Sequence, residues 1–240
     1  MKEEILWNDD YAKGKVILID KPLTWTSFDV VKKIRGSVRI SKVGHAGTLD
    51  PLATGLLIVC TGKFTKQINT YQASEKEYKG SFVLGSITDS YDLETKPKLH
   101  GEIGHITPDM IHAATNKFIG EIMQVPPIYS AIKKEGTPAY VLARKGKEVK
   151  MEARPITIKS FEITSIDLPK IDFRVVCSTG TYIRSLAFDY GNELGCGAYL
   201  SSLRRTRIGE FKVDQAMDMV QFIKELDLIR PRIAEKIDKG

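Results

Sequence analysis

The pattern of apolar and polar positions divides the chain into short segments of mixed type. KVILIDKP (Lys15 to Pro22) is a brief run of β-branched residues stopped by proline, which predicts a buried strand. In TSFDVVKKIRG, Thr26 can cap a helix with Asp29 three residues on. Phe28, Val31 and Ile34 share one face, and Gly36 marks the expected stop. LLIVC (Leu56 to Cys60) and YKGSFVL (Tyr78 to Leu84) predict two more strands. Thr107, Pro108 and Gly120 punctuate a helix, and a short one is expected from Pro138 to Lys145. Strands follow at Ile156 to Ile163 and Ile171 to Ser178, separated by the turn DLPK. Ile183, Leu186, Ala187, Tyr190 and Leu194 recur at helical spacing up to Gly195. A short strand RIGEFKV and an amphipathic helix VDQAMDMVQFIKEL close the pattern. Without regular βαβ alternation, this predicts an α+β fold: a mixed, largely antiparallel central sheet flanked by helices and loops.

One stretch fits neither period. KVGHAGTLDPLATGL (Lys42 to Leu56) holds three glycines, a histidine and one carboxylate, Asp50, directly before the LLIVC strand. Glycine opens conformations that other residues avoid, and Pro51 fixes the backbone after the acid. An ordinary aspartate titrates near ~3.9 and is ionised at neutral pH. Asp50 could therefore act as a nucleophile, as a base, or as the cap of an Asp-Pro turn.

Charge and length narrow the possibilities. The 240 residues suffice for a sizeable core, and without repeats or linkers one domain is expected over 1–240. Lys and Arg number 36 against 30 Asp and Glu, a net charge of +6 that leans toward a polyanionic partner. Much of it lies in KKIRGSVRISK, in KKEGTPAYVLARKGKEVK (Lys133 to Lys150) and in LRRTRIG (Leu203 to Gly209). The first residues carry no apolar core and no run approaches the ~20 residues of a membrane span, so a cytoplasmic protein is expected.

Familiar chemistries lack their marks. CTGKFTK resembles the end of a phosphate-binding loop, but six residues separate Gly55 from Gly62, and Phe64 replaces the magnesium-binding hydroxyl. His100 and His105 have no third ligand beside them, and Cys60, Cys177 and Cys196 are too scattered for a zinc site, so no metal is expected. Neither a G-x-S-x-G elbow nor a G-x-G-x-x-G fingerprint is present.

Six segments taken in order carry a resemblance: IDKPLTWTS, GHAGTLDPLATGLL, EYKGSFVLG, VPPIYSAIKKEG, ARKGKEV…EARPI and CSTGTYIRSLAFDYGNELGCGAYLSSLRRTRIGEF. Together they resemble the TruB family of tRNA pseudouridine-55 synthases, from about Lys15 to Val213. The resemblance implies the pseudouridine synthase fold with an RNA-contacting insertion around 124–154. Many family members continue into a small C-terminal RNA-binding domain of the PUA type; this chain departs from them, stopping after one helix and a charged tail, so no separate C-terminal RNA-binding domain is expected. The implied partner is tRNA, at its T-arm and elbow. No cofactor, guide RNA or membrane is expected, and the protein is expected to be monomeric.

Residue roles follow from the same resemblance. Asp50 is the implied nucleophile, acting on the sugar or the base or by promoting elimination. Tyr78 would stack on the flipped base, and Arg184 would pair with the catalytic carboxylate through its guanidinium fork. His45 would fill the vacated stack, Tyr182 contact substrate, and the Leu203 backbone touch the uracil edge. Lys21 supports the site, and Asp92 matches an acidic residue near the substrate cleft. Lys133, Lys134, Arg204 and Arg205 are the expected phosphate contacts.

Overall fold

A computed structural model describes residues 8–134, 136–147 and 149–229. In chain order its elements are α1 (Asp9–Lys13), β1 (Val16–Lys21), α2 (Ser27–Val38), β2 (Val43–Ala46), β3 (Ala53–Thr61), α3 (Ile68–Ala73) and β4 (Lys76–Leu84). Then come β5 (Ser86–Ile87), β6 (Lys98–Leu99), α4 (Pro108–Asn116), β7 (Gly120–Gln124), β8 (Lys133–Lys134), β9 (Thr137–Pro138) and α5 (Ala139–Arg144). The chain finishes with β10 (Arg154–Asp167), β11 (Lys170–Cys177), α6 (Ile183–Glu193), β12 (Ala198–Ile208), β13 (Phe211–Lys212) and α7 (Met219–Ile229). Where strand registers are defined, pairing is antiparallel, as the α+β reading expects. Among the described residues no helix is long and apolar enough to cross a membrane.

Two compact units emerge, residues 1–76 with 204–240 and residues 77–203. The first is built around β3, which pairs with β1 (Val16 opposite Cys60, Lys21 opposite Gly55) and with β2 (His45 opposite Val59). Leu57 and Val59 face a cluster from α2 and α7 that includes Val30, Ile34, Val38 and Phe222. Leu56, Ile58 and Cys60 face the other way, against Ala46, Ile208 and the flanking Ile68 and Phe211. Burial on both faces explains why LLIVC reads as an unbroken apolar run rather than an alternation. Each such aliphatic side chain contributes about 1.5–3 kcal/mol when buried.

Helix α2 starts as expected, with a full capping box between Thr26 and Asp29. Its inner face differs, however. Starting the helix at Ser27 turns Ser27, Val30, Val31, Ile34 and Val38 inward and leaves Phe28 58% exposed. The helix also runs through Gly36, where an added Cβ would meet open space, and ends at Arg39 in the left-handed region. Burying Val38 offsets the ~1 kcal/mol that a mid-helix glycine costs.

In the second unit the strand order is β4, β11, β10, β7, with the first residues of β12 (198–203) beside β4. Phe82, Phe118, Phe161, Phe173 and Tyr190 form its aromatic core, with Phe82 stacked on Phe173 at 4.2 Å. The Tyr190 hydroxyl donates to Ile111 O (2.5 Å), tying α6 to α4. Helix α4 stops at Asn116, short of Gly120, whose φ of +104° instead opens β7. The sequence reading gives a strand only from Arg207, in RIGEFKV, whereas β12 already begins at Ala198 and runs through the expected basic stripe, and a turn at Gly209 parts it from β13. Gly80 lets β4 approach β12 closely, since a Cβ there would lie 2.3 Å from Ser202 O.

Candidate active site

Asp50 sits in the six-residue link between β2 and β3. Its carbonyl accepts from Ala53 N–H (3.0 Å) with Pro51 next in the turn, so the Asp-Pro turn of the sequence reading exists in the backbone. The Asp50 side chain is half-buried at this turn. Neighbouring segments hold the link at several points. Leu49 N–H donates to Ser27 Oγ (2.9 Å), and the Ser27 hydroxyl returns a bond to Leu49 O (3.3 Å). Thr24 N–H donates to Pro51 O (2.8 Å). Irregular backbone exposes carbonyls that a strand ladder would satisfy, and these bonds replace the ladder.

Two buried cations complete the arrangement. Lys21 is fully buried, and its ammonium donates to Trp25 O (2.5 Å), Pro22 O (2.9 Å) and Pro51 O (3.4 Å). Burial pushes the ammonium down to about 8, with Asp50 opposing that shift and Arg205 adding to it. Lys21 therefore belongs to the surroundings of Asp50. Arg205 donates Nε–H to Leu56 O (2.8 Å), Nη2–H to Gly47 O (3.1 Å) and Nη1–H to Thr48 O (3.4 Å). At 1% exposure it does not fit the expected phosphate contact, because its donors are turned inward onto backbone carbonyls. Arg204 is partly exposed and forms a two-pronged pair with Asp20 (3.0 and 2.6 Å). His45, half-buried in β2, is held below the usual histidine range, first by burial and then by Arg205, against a backbone contact from Gly47.

The remaining candidates lie in the second unit. Arg184, in the first turn of α6, is 3% exposed and donates to Tyr129 O (2.9 Å) and Ser90 O (3.4 Å). Its Nε lies 3.7 Å from the Asp92 carboxylate. Asp92 is itself buried, and its Oδ1 accepts from Glu94 N–H (3.0 Å). Tyr182 precedes α6, and both its backbone groups are taken by the Gln124 side chain, N–H to Oε1 at 2.8 Å and Nε2–H to O at 3.1 Å. The Arg154 guanidinium lies 5.0 Å from the Tyr182 ring centroid. Tyr78 is buried in β4, and Leu203 is half-buried in β12. Lys133 is exposed in the β8–β9 hairpin, while Lys134 is half-buried and bonds Glu152 (3.2 Å).

So the first unit carries Lys21, His45, Asp50, Arg204 and Arg205, and the second the other candidates. Sequence reasoning misses Ser27 and Gln124. Each acts on the backbone of a residue remote in sequence, and neither stands in a pattern that marks it. Ser27 hides behind the helix cap at Thr26.

Residues 35–183 match the model of the TruB family pseudouridylate synthase N-terminal domain, and residues 184–239 that of the tRNA pseudouridylate synthase B C-terminal domain. The chain belongs to the TruB family. Among TruB relatives, the tRNA pseudouridine synthase B of Flavobacterium johnsoniae is 52% identical over 225 residues, covering 91% of this chain and 98% of that one. The enzyme of the same name from Parabacteroides distasonis is 49% identical, covering 87% and 91%. A chain in the crystal structure of a Cbf5–Nop10–Gar1 complex is 31% identical with a TM-score of 0.71. That match covers 91% of this chain but spans only 56% of the other.

Proposed function

We propose that the protein isomerises uridine 55 in the T-loop of tRNA to pseudouridine, with Asp50 as the reacting carboxylate. The observation that carries this reading is the turn bearing Asp50, held by two buried cations, in the segment matched to the TruB synthases. The reaction breaks the C–N glycosidic bond, turns the base and rejoins it through carbon. No group leaves and nothing is oxidised, so the balance calls for neither nucleotide nor redox partner.

Each residue has a part in this scheme. The target base is flipped out of the folded RNA at a cost of a few kcal/mol. His45 fills the space the base leaves, and Tyr78 stacks on the flipped base. Arg184 supplies a desolvated cation in fixed orientation, and Asp50 attacks or promotes elimination. Tyr182 and Leu203 contact the nucleoside, while the β8–β9 hairpin and α5, within the 124–154 insertion, meet the RNA backbone.

The test is to incubate the purified chain with an unmodified tRNA transcript and map pseudouridine by carbodiimide labelling. The expected product is one pseudouridine at position 55, formed without any added RNA. Binding of tRNA with no product at the T-loop would leave an RNA-folding role and overturn the enzyme. Product only in the presence of a second RNA would overturn guide-independent action.

A further inference from the structure

Arg205 belongs to a run that reads as a phosphate-binding stripe, yet its side chain is 1% exposed and points into the first unit. Its three bonds go to Gly47 O, Thr48 O and Leu56 O. Two of these carbonyls precede Asp50 and the third lies in β3, so the guanidinium ties the start of the link to a core strand. A guanidinium is suited to this because its donors lie in one rigid plane, fixing several acceptors relative to one another. The backbone is shaped around it. Gly47 has φ +88°, and a Cβ there would lie 3.6 Å from the Arg205 Nη1 atom. At Gly55 a Cβ would lie 2.3 Å from the Arg205 carbonyl oxygen, so β3 and β12 meet closely at this point. Lys21 holds the far side of the turn through Pro51 O, and the Asp50 turn is bracketed by two cations.

We propose that Arg205 is a positioning residue that fixes the Asp50 turn in its reactive geometry, and that it does not contact RNA phosphate. This rests on Asp50 being the reacting group. Removing the fork leaves the carboxylate in place chemically but frees the backbone that aims it. A displacement near 1 Å in such a group costs on the order of 100-fold in rate. Affinity for tRNA, set by exposed cations elsewhere, should not follow.

The experiment compares the full chain with Arg205→Lys and Arg205→Gln on an unmodified tRNA transcript. It reads single-turnover rate, tRNA Kd and amide hydrogen exchange of the folded proteins. Arg205→Lys keeps the charge and most of the volume, so it carries the test alone if Arg205→Gln does not fold. The expected result is a rate lower by about 10- to 100-fold with Kd within about twofold. Exchange at Leu49 and Ala53 should rise by at least about tenfold while the β1–β3 amides stay protected. Weaker tRNA binding with the rate kept would make Arg205 a phosphate contact and overturn the proposal. Unchanged exchange in the turn, or loss of protection throughout the unit, would overturn it too. Should the wild type make no pseudouridine, the functional reading fails by itself, and exchange at Leu49 and Ala53 still decides whether Arg205 holds the turn.

Discussion

In the run from Leu203 to Gly209 every arginine has an internal partner: Arg204 bonds Asp20, Arg205 the Asp50 turn, and Arg207 both Glu75 and Gly209 O. In the run from Lys133 to Lys150, by contrast, Lys133, Arg144, Lys145, Lys147 and Lys150 are exposed, with Arg144 paired to Glu94 at the surface. Both runs are basic in sequence, three arginines in seven residues against five lysines and one arginine in eighteen. What separates them is residue type and backbone. The first is arginine on a strand, where planar forks can satisfy buried acceptors. The second is mostly lysine, on a hairpin and in the chain that follows a short helix, where strongly hydrated ammonium groups stay in water. A basic stripe thus has to be located in the fold before it is read as a nucleic-acid surface.

The largest effect expected from this contrast comes from the backbone beneath each run. Gly55→Ala places a methyl 2.3 Å from Arg205 O at φ +102° and should cost more than about 3 kcal/mol, or prevent folding. Gly146→Ala, beside the exposed run, has φ +67° but open space and should cost about 1 kcal/mol. Urea unfolding measures both, and a loss at Gly55 no larger than at Gly146 would contradict the close approach of β3 and β12.

A smaller effect is expected at the surface run. The double substitution Lys133→Ala with Lys134→Ala should change stability by less than about 0.5 kcal/mol. It should also weaken tRNA binding and reduce the salt slope by roughly 1 to 2. Thermal melting and Kd across a salt series test this. An unchanged slope would remove the hairpin from the RNA contact.

Sequence period and punctuation make much of the fold legible. β1, β3, β10, β11 and α6 declare themselves because their apolar residues are buried at spacings set by the element itself. β12 is hidden because three of its residues are arginines whose partners come from other segments. Polarity there serves carboxylates and backbone carbonyls, most of which no local pattern displays. The same holds at the site. Asp50 stands out in KVGHAGTLDPLATGL because its glycines and proline are local to it. Ser27, Gln124 and Arg205 do not, since each answers to carbonyls or amides more than twenty residues away. Local chemistry can be read in advance, and the devices that hold it in place cannot.

The most direct test of the account is Asp50→Asn, measured for single-turnover pseudouridine formation and for tRNA affinity on the same transcript. An amide keeps the size of the carboxylate but removes its charge and nucleophilicity. No detectable product is expected, with affinity within about threefold of wild type because phosphate contacts set binding. Normal turnover by Asp50→Asn would contradict it.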